Sequence, residues 1–301
     1  MVNLTAPGVA AIAWQNNGLH IRVYFQKDDG FVYEGAWDPG SGWHSGNTKL
    51  FQAKIGTPLS AIVFAPTQPQ IRVYYLDTSY VLQEYVYSSG WSKGATLPSP
   101  DLTPITSIAA VTWTQPTNQQ IRVYYQKTNN TIQEVVYSSG WQVGFSFTEQ
   151  AFPGTSLSGA IIKENVINNN PSFRVYWQAT NLSLNEYSWS GNWSNRDLKY
   201  SPAPNSGIAA VAWSDSVGAH IRVYLENAAG NVQELNYNDP SGWVIPPGTP
   251  TNTIASFRAP IAAVVWLDSS VELRVYVQST SSNNITELVY SGGWSAHALG
   301  F

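Results

Sequence analysis

The tetrapeptide Ile-Arg-Val-Tyr recurs at Ile21, Ile71, Ile121 and Ile221, and two variants of it open at Phe173 and Leu273. Its arginines, Arg22, Arg72, Arg122, Arg174, Arg222 and Arg274, follow one another at intervals of 50, 50, 52, 48 and 52 residues. A fixed period in this range marks a repeat architecture, in which no unit buries its own apolar face and neighbours must stack to do so. Six such units in 301 residues constrain the fold more than any local propensity does.

Three further landmarks accompany each arginine. An apolar stretch before it ends in a bulky residue, at Trp14, Phe64, Trp113, Ile162, Trp213 and Trp266. A glutamate follows, at Glu34, Glu84, Glu134, Glu186, Glu234 and Glu287, and a Gly-Trp or Asn-Trp pair comes later, at Trp43, Trp91, Trp141, Trp193, Trp243 and Trp294. Short runs of Val, Ile, Tyr and Trp lie between, broken by Gly, Asn, Asp, Ser and Pro, and no helical period is sustained. The pattern predicts an all-β six-bladed β-propeller with about four antiparallel strands per blade, a ring that leaves no long sheet edge exposed. A β-solenoid is the weaker alternative because its rungs are much shorter. Residues 1–301 read as one domain, with repeats at approximately 9–56, 57–106, 107–155, 156–206, 207–259 and 260–301.

In five units Arg and Glu stand 12 residues apart across turn-rich stretches such as Lys27-Asp28-Asp29-Gly30. This predicts hairpins centred near residues 28, 78, 128, 180 and 228, with Arg and Glu as cross-strand neighbours on one face. In the sixth unit the spacing is 13, and the loop Ser281-Ser282-Asn283-Asn284 takes the extra residue. Three residues after each Glu comes an aromatic: Trp37, Tyr87, Tyr137, Trp189, Tyr237 and Tyr290. An odd offset turns it to the opposite face, so each crevice between blades receives Arg and Glu from one blade and an aromatic from the next. Charged donors, a carboxylate acceptor and an aromatic plate together suit a sugar. Taken singly, a cross-strand Arg/Glu pair is often only an ion pair worth ~0.2–1 kcal/mol, and the aromatics can be core. Six recurrences in register, in a chain with 11% charged residues, favour binding. Trp14, Trp113, Trp213 and Trp266 read as core, as do the Val and the second aromatic of the motif.

Charge and cysteine content exclude other classes. A net charge of −4 with scattered Lys and Arg gives no footprint for nucleic acid or an anionic membrane. The chain has no Cys, and His20, His44, His220 and His297 show no ligand spacing, so neither metal nor cofactor is expected. The first residues lack the basic start and apolar core of a signal peptide, and no apolar run reaches membrane-spanning length, so a soluble protein is expected. Sequons at Asn3, Asn129, Asn181, Asn192 and Asn284 would matter only on a secretory route.

With Arg, Glu and Trp recurring in this order, the chain resembles the Aleuria aurantia lectin family of fucose-specific fungal lectins along essentially its whole length. The resemblance implies a non-catalytic, metal-free propeller that binds L-fucose of fucosylated glycans and glycoproteins in up to six inter-blade sites, and that can form a homodimer. It also implies roles: Arg and Glu of one blade bond the sugar's oxygens, while the aromatic after Glu and the Gly-Trp tryptophan of the next blade form an apolar wall. The sites so assigned are Arg22, Glu34, Tyr87 and Trp91; Arg72, Glu84, Tyr137 and Trp141; Arg122, Glu134, Trp189 and Trp193; Arg174, Glu186, Tyr237 and Trp243; Arg222, Glu234, Tyr290 and Trp294; and, across the ring closure, Arg274, Glu287, Trp37 and Trp43. Repeats one and five set Glu and Trp nine positions apart rather than seven, so Trp43 and Trp243 are expected to sit differently and to weaken their sites. Two readings compete. A propeller glycosidase or sialidase needs its carboxyls concentrated in one place, whereas here they are distributed six-fold. A Trp-Asp-repeat interaction scaffold would carry a combined Gly-His and Trp-Asp signature in its repeats, which is missing.

Overall fold

Blade I consists of the strands Val9–Gln15, Leu19–Gln26, Phe31–Asp38 and Gly42–Gln52, which pair in chain order, each antiparallel to the last. The computed structural model describes residues 8–115, 118–163, 171–246, 250, 258–278 and 285–299; residues 281–284 and the sequons at Asn3 and Asn284 lie outside them. The same meander recurs within 60–96, 108–150, 158–197, 208–244 and 261–299, making six four-stranded sheets with no helix among the described residues. Each sheet is drawn from one continuous stretch, so no blade borrows a strand from another repeat.

The first strands form the inner ring. Each touches the first strands of the neighbouring blades, and the contact between Val9–Gln15 and Ile261–Leu267 closes the circle. Small residues are required there: a Cβ added to Gly159 would lie 2.6 Å from Val111 Cγ1. The second strands are covered on both faces by adjacent blades, so Val23, Tyr24 and Phe25 are all buried in succession. Core packing therefore falls between blades. Six apolar clusters each combine residues of two neighbouring sheets, and the one joining Val23 and Phe25 to Val264 and Tyr276 is the seam.

A buried glutamine at the end of the second strand ties down the loop to the next blade. Gln26 Nε2 donates to the carbonyls of Gly30 and Lys54 at 3.1 and 2.8 Å, and its Oε1 accepts from Gly56 N at 2.8 Å. Gln126 and Gln178 make equivalent ties to Phe152 and Gly154 and to Pro202 and Asn205. Blade V carries Glu226 instead, whose two oxygens accept from Arg258 N and Ala259 N at 3.1 and 2.9 Å.

Candidate functional site

The hairpin that presents Arg and Glu pivots one residue later than the sequence spacing suggests. In blade I, Glu34 stands opposite Tyr24, and Arg22 opposite Ala36, which places the centre at residue 29 rather than 28. The cause is a left-handed residue at the end of the turn: Gly30, Tyr80, Asn130, Leu182 and Gly230 have φ of +80°, +63°, +65°, +68° and +76°. Three-residue hairpins of this kind append such a residue after a type I turn. Arg and Glu are therefore diagonal neighbours, not direct opposites, but they share one face as expected. In blade VI the pairing of Tyr276 with Glu287 and Arg274 with Val289 repeats this register despite the longer spacing.

Four residues build the polar wall. The guanidinium lies over the leading aromatic, with Arg22, Arg72, Arg122, Arg222 and Arg274 at 5.1, 5.2, 4.8, 4.8 and 4.8 Å from the rings of Trp14, Phe64, Trp113, Trp213 and Trp266. Trp14, Trp113 and Trp213 are buried packing residues, as the sequence suggests, whereas Trp266, read as core, is only partly buried; all of these rings also hold the arginine in place through cation–π contact. Arg Nη1 is anchored to backbone, in blade III to the carbonyls of Ile121 and Tyr137 at 2.9 and 3.4 Å. Nε then faces the glutamate, with separations from Oε1 of 3.8, 3.6, 3.6, 3.7 and 3.9 Å in blades I, II, III, IV and VI. In blade V, Arg222 and Glu234 act on each other electrostatically.

The fourth member is one that sequence reasoning missed. Tyr24, Tyr74, Tyr124, Tyr176, Tyr224 and Tyr276 are fully buried. The hydroxyls of Tyr74, Tyr124, Tyr176 and Tyr276 donate to Glu84, Glu134, Glu186 and Glu287 at 3.1, 2.8, 2.8 and 3.0 Å. In blades I and V the hydroxyl has no partner of good geometry among the described residues, although Glu34 and Glu234 face it. Burial raises the pKa of Glu34, Glu84, Glu186 and Glu234 above the ordinary value, and the neighbouring arginine and tyrosine partly oppose that.

The facing wall comes from the next blade. Trp91, Trp141, Trp193, Trp243, Trp294 and Trp43 stand edge-on to Tyr24, Tyr74, Tyr124, Tyr176, Tyr224 and Tyr276, at ring separations of 5.9, 6.0, 6.4, 6.2, 5.9 and 6.1 Å. Each tryptophan pairs in register with the aromatic that follows its own blade's glutamate, as Tyr87 with Trp91. All six sets read from the sequence are thus brought together between neighbouring blades. The expectation that Trp43 and Trp243 would sit differently is not met. Their longer loops add one residue to each side of the hairpin, Asp38 opposite Gly42 and Asn238 opposite Gly242, so the next pairs, Trp37 with Trp43 and Tyr237 with Trp243, keep register and face.

The crevices differ elsewhere. In blades I, II and III the ladder to the fourth strand is bulged at the glutamate. In blades II and III this brings Ala95 N and Phe145 N within 3.3 and 3.1 Å of Glu84 and Glu134. Gly94 and Gly144 permit the approach. In blades IV and VI the ladder is regular, and Arg196 and His297 stand opposite Glu186 and Glu287. In blade I a second carboxylate engages the arginine at Nη2: Asp38 accepts from Arg22 Nη2 at 3.0 and 3.2 Å and also meets His20 and His44 at 2.6 and 2.8 Å. These contacts hold the Asp38 carboxyl at a pKa of about 2 in spite of its partial burial. By contrast Nη2 of Arg72 and Arg122 has no hydrogen-bond partner among the described residues.

The fungal fucose-specific lectin family model matches residues 4–186 and 168–299. A fucose-specific lectin of Aspergillus oryzae is 30% identical over 96% of this chain and 77% of its own length, and that of Aleuria aurantia is 29% identical over 95% and 76%. The crystal structure of the Aleuria aurantia lectin, a six-bladed β-propeller with its own fucose recognition mode, superposes with a TM-score of 0.83 at 28% identity, covering 97% of this chain and 95% of that one. The SapL1 lectin in complex with α-methyl fucoside does so with a TM-score of 0.83 at 31% identity and the same coverage. Sequence, blade count and the six-fold repetition of one crevice therefore agree that this chain belongs to the fungal fucose-specific lectins.

Proposed function

We propose that the protein is a multivalent, non-catalytic lectin that binds the L-fucose of fucosylated glycans and glycoproteins in its six inter-blade crevices. The observation that carries this reading is the recurrence of one two-sided arrangement in every crevice. On one side Arg supplies directed charged donors and Glu an acceptor set opposite a buried Tyr. On the other, an aromatic and a Trp offer an apolar plate. Fucose presents a polar edge of hydroxyls and a greasy edge of C–H groups and a methyl, so each wall has its counterpart. The recurring glutamates are distributed one to a blade around the ring rather than concentrated in one place, which supports binding over hydrolysis.

A monosaccharide has few atoms to contribute, so each site should bind free fucose with a Kd of roughly micromolar to sub-millimolar order. Surfaces bearing many fucoses should bind far more tightly through effective concentration. Calorimetry with methyl α-fucoside should count several sites per chain, a glycan array should select fucosylated members, and a sugar-release assay should stay silent. One site per chain with no gain on multivalent ligand would refute the reading.

A further inference from the structure

The crevice between blades VI and I has a second concavity at its side. Beside Arg274 a cavity of about 640 Å³ opens between the Trp266–Glu272 end of blade VI and the Gln15–Leu19 turn of blade I. Trp266 forms one wall, and Gln15, Asn16, Asn17, Asp268 and Glu272 supply polar groups around it.

What exposes Trp266 is the residue opposite it. In blades I and V that position is His20 or His220, whose ring stacks on Trp14 or Trp213 at 5.0 or 5.2 Å and covers it. In blade VI it is Glu272, whose carboxylate is drawn aside to Ser270, Ser291 and Arg274 at 3.1, 3.1 and 3.5 Å. Trp266 is therefore only half-buried, whereas Trp14, Trp113 and Trp213 are buried. Trp266 and Glu272 touch Arg274 and also line the cavity, so a ligand on Arg274 has this space as its neighbour.

We propose that this cavity is an extended subsite for the pyranose joined to the fucose, an inference that rests on the fucose-binding reading above. An aromatic plate ringed by amides and hydroxyl-accepting carboxylates matches a second sugar ring. Asp268 and Glu272 add negative charge, so the subsite takes a neutral sugar, such as an N-acetylhexosamine, and rejects a sulfated or sialylated one.

Crystals soaked in a fucosyl-N-acetylglucosamine disaccharide test the proposal directly, with methyl α-fucoside as control. The second ring should lie on Trp266 in this crevice, and sub-saturating disaccharide should fill it at concentrations about tenfold lower than methyl fucoside requires. The variant Asn17→Gly/Asp268→Ala should lose most of that preference while methyl fucoside occupancy is unchanged; Gly tolerates the φ of +54° that Asn17 adopts. A sulfated disaccharide should show no preference. Fucose bound with its second ring turned to solvent, or an unaltered preference in the variant, overturns the subsite alone. Absence of fucose from every crevice overturns the lectin reading and the subsite with it.

Discussion

Glu226 offers a measurement that isolates one buried group in the ring. It stands where Gln26, Gln126 and Gln178 clamp their inter-blade loops, is 1% exposed, and holds the segment leading into blade VI through Arg258 N and Ala259 N. Burial raises its carboxyl pKa from an ordinary 4.5 to about 7, more than the two backbone hydrogen bonds lower it. The folded pKa exceeds the unfolded one, so the group's contribution is fully present below about 4.5 and is lost as pH rises through about 7. At about 1.4 kcal/mol for each tenfold change in proton affinity, the loss amounts to roughly 3 kcal/mol. Glu226→Gln removes the ionisation while keeping the shape. Urea-unfolding free energies of the two proteins should therefore diverge with pH, the variant gaining about 3 kcal/mol on the native chain between pH 4 and pH 9. The raised carboxyls of Glu34, Glu84, Glu186 and Glu234 act in the same direction but are common to both proteins and cancel in the difference. Parallel curves for the two proteins would refute the argument, because they would mean that Glu226 ionises in the fold as readily as in the unfolded chain.

Trp189→Ala should leave fucose on Arg174 and Glu186 of its own blade and weaken the crevice of Arg122 and Glu134 by about 1–3 kcal/mol, the worth of an aromatic plate, as sub-saturating crystal soaks would show; emptying of the Arg174 crevice instead would redraw the sites within single blades. Gly94→Ala places a Cβ 2.6 Å from both Glu84 Oε2 and Val86 Cγ2, so it should displace Glu84 and selectively empty the crevice of Arg72. Asp38→Ser gives blade I the residue that Ser88 and Ser138 provide in blades II and III. With Arg22 Nη2 released from Asp38, fucose should fill that crevice several-fold more tightly, roughly 1 kcal/mol, and unchanged occupancy would show that Asp38 orients the arginine rather than competing for it.

The parts of the site legible in the sequence were those governed by period two. Face alternation needs only an offset, so the odd step of three from Glu134 to Tyr137 suffices to assign Tyr137 to the crevice of the preceding blade, and the packing agrees, with Trp141 beside it in register. The turn pivot was hidden because its left-handed position is filled by Gly30, Tyr80, Asn130, Leu182 and Gly230, of which only glycine and asparagine announce that conformation. The loops of blades I and V misled because a length difference was read as a displacement, whereas two extra residues shared between two strands move nothing. The buried tyrosine was concealed by its apolar company, yet the repeats themselves carry the signal. The next residue along varies freely as Phe25, Tyr75, Tyr125, Trp177, Leu225 and Val277, as a position that only fills space can. Tyr24 and its five counterparts never vary, although they are at least as buried. A buried position that accepts tyrosine and never phenylalanine requires the hydroxyl, and a hydroxyl kept out of water requires a partner. In all six blades the residue directly opposite this tyrosine across the ladder is the glutamate, and it is the acidic group to which four of the hydroxyls donate.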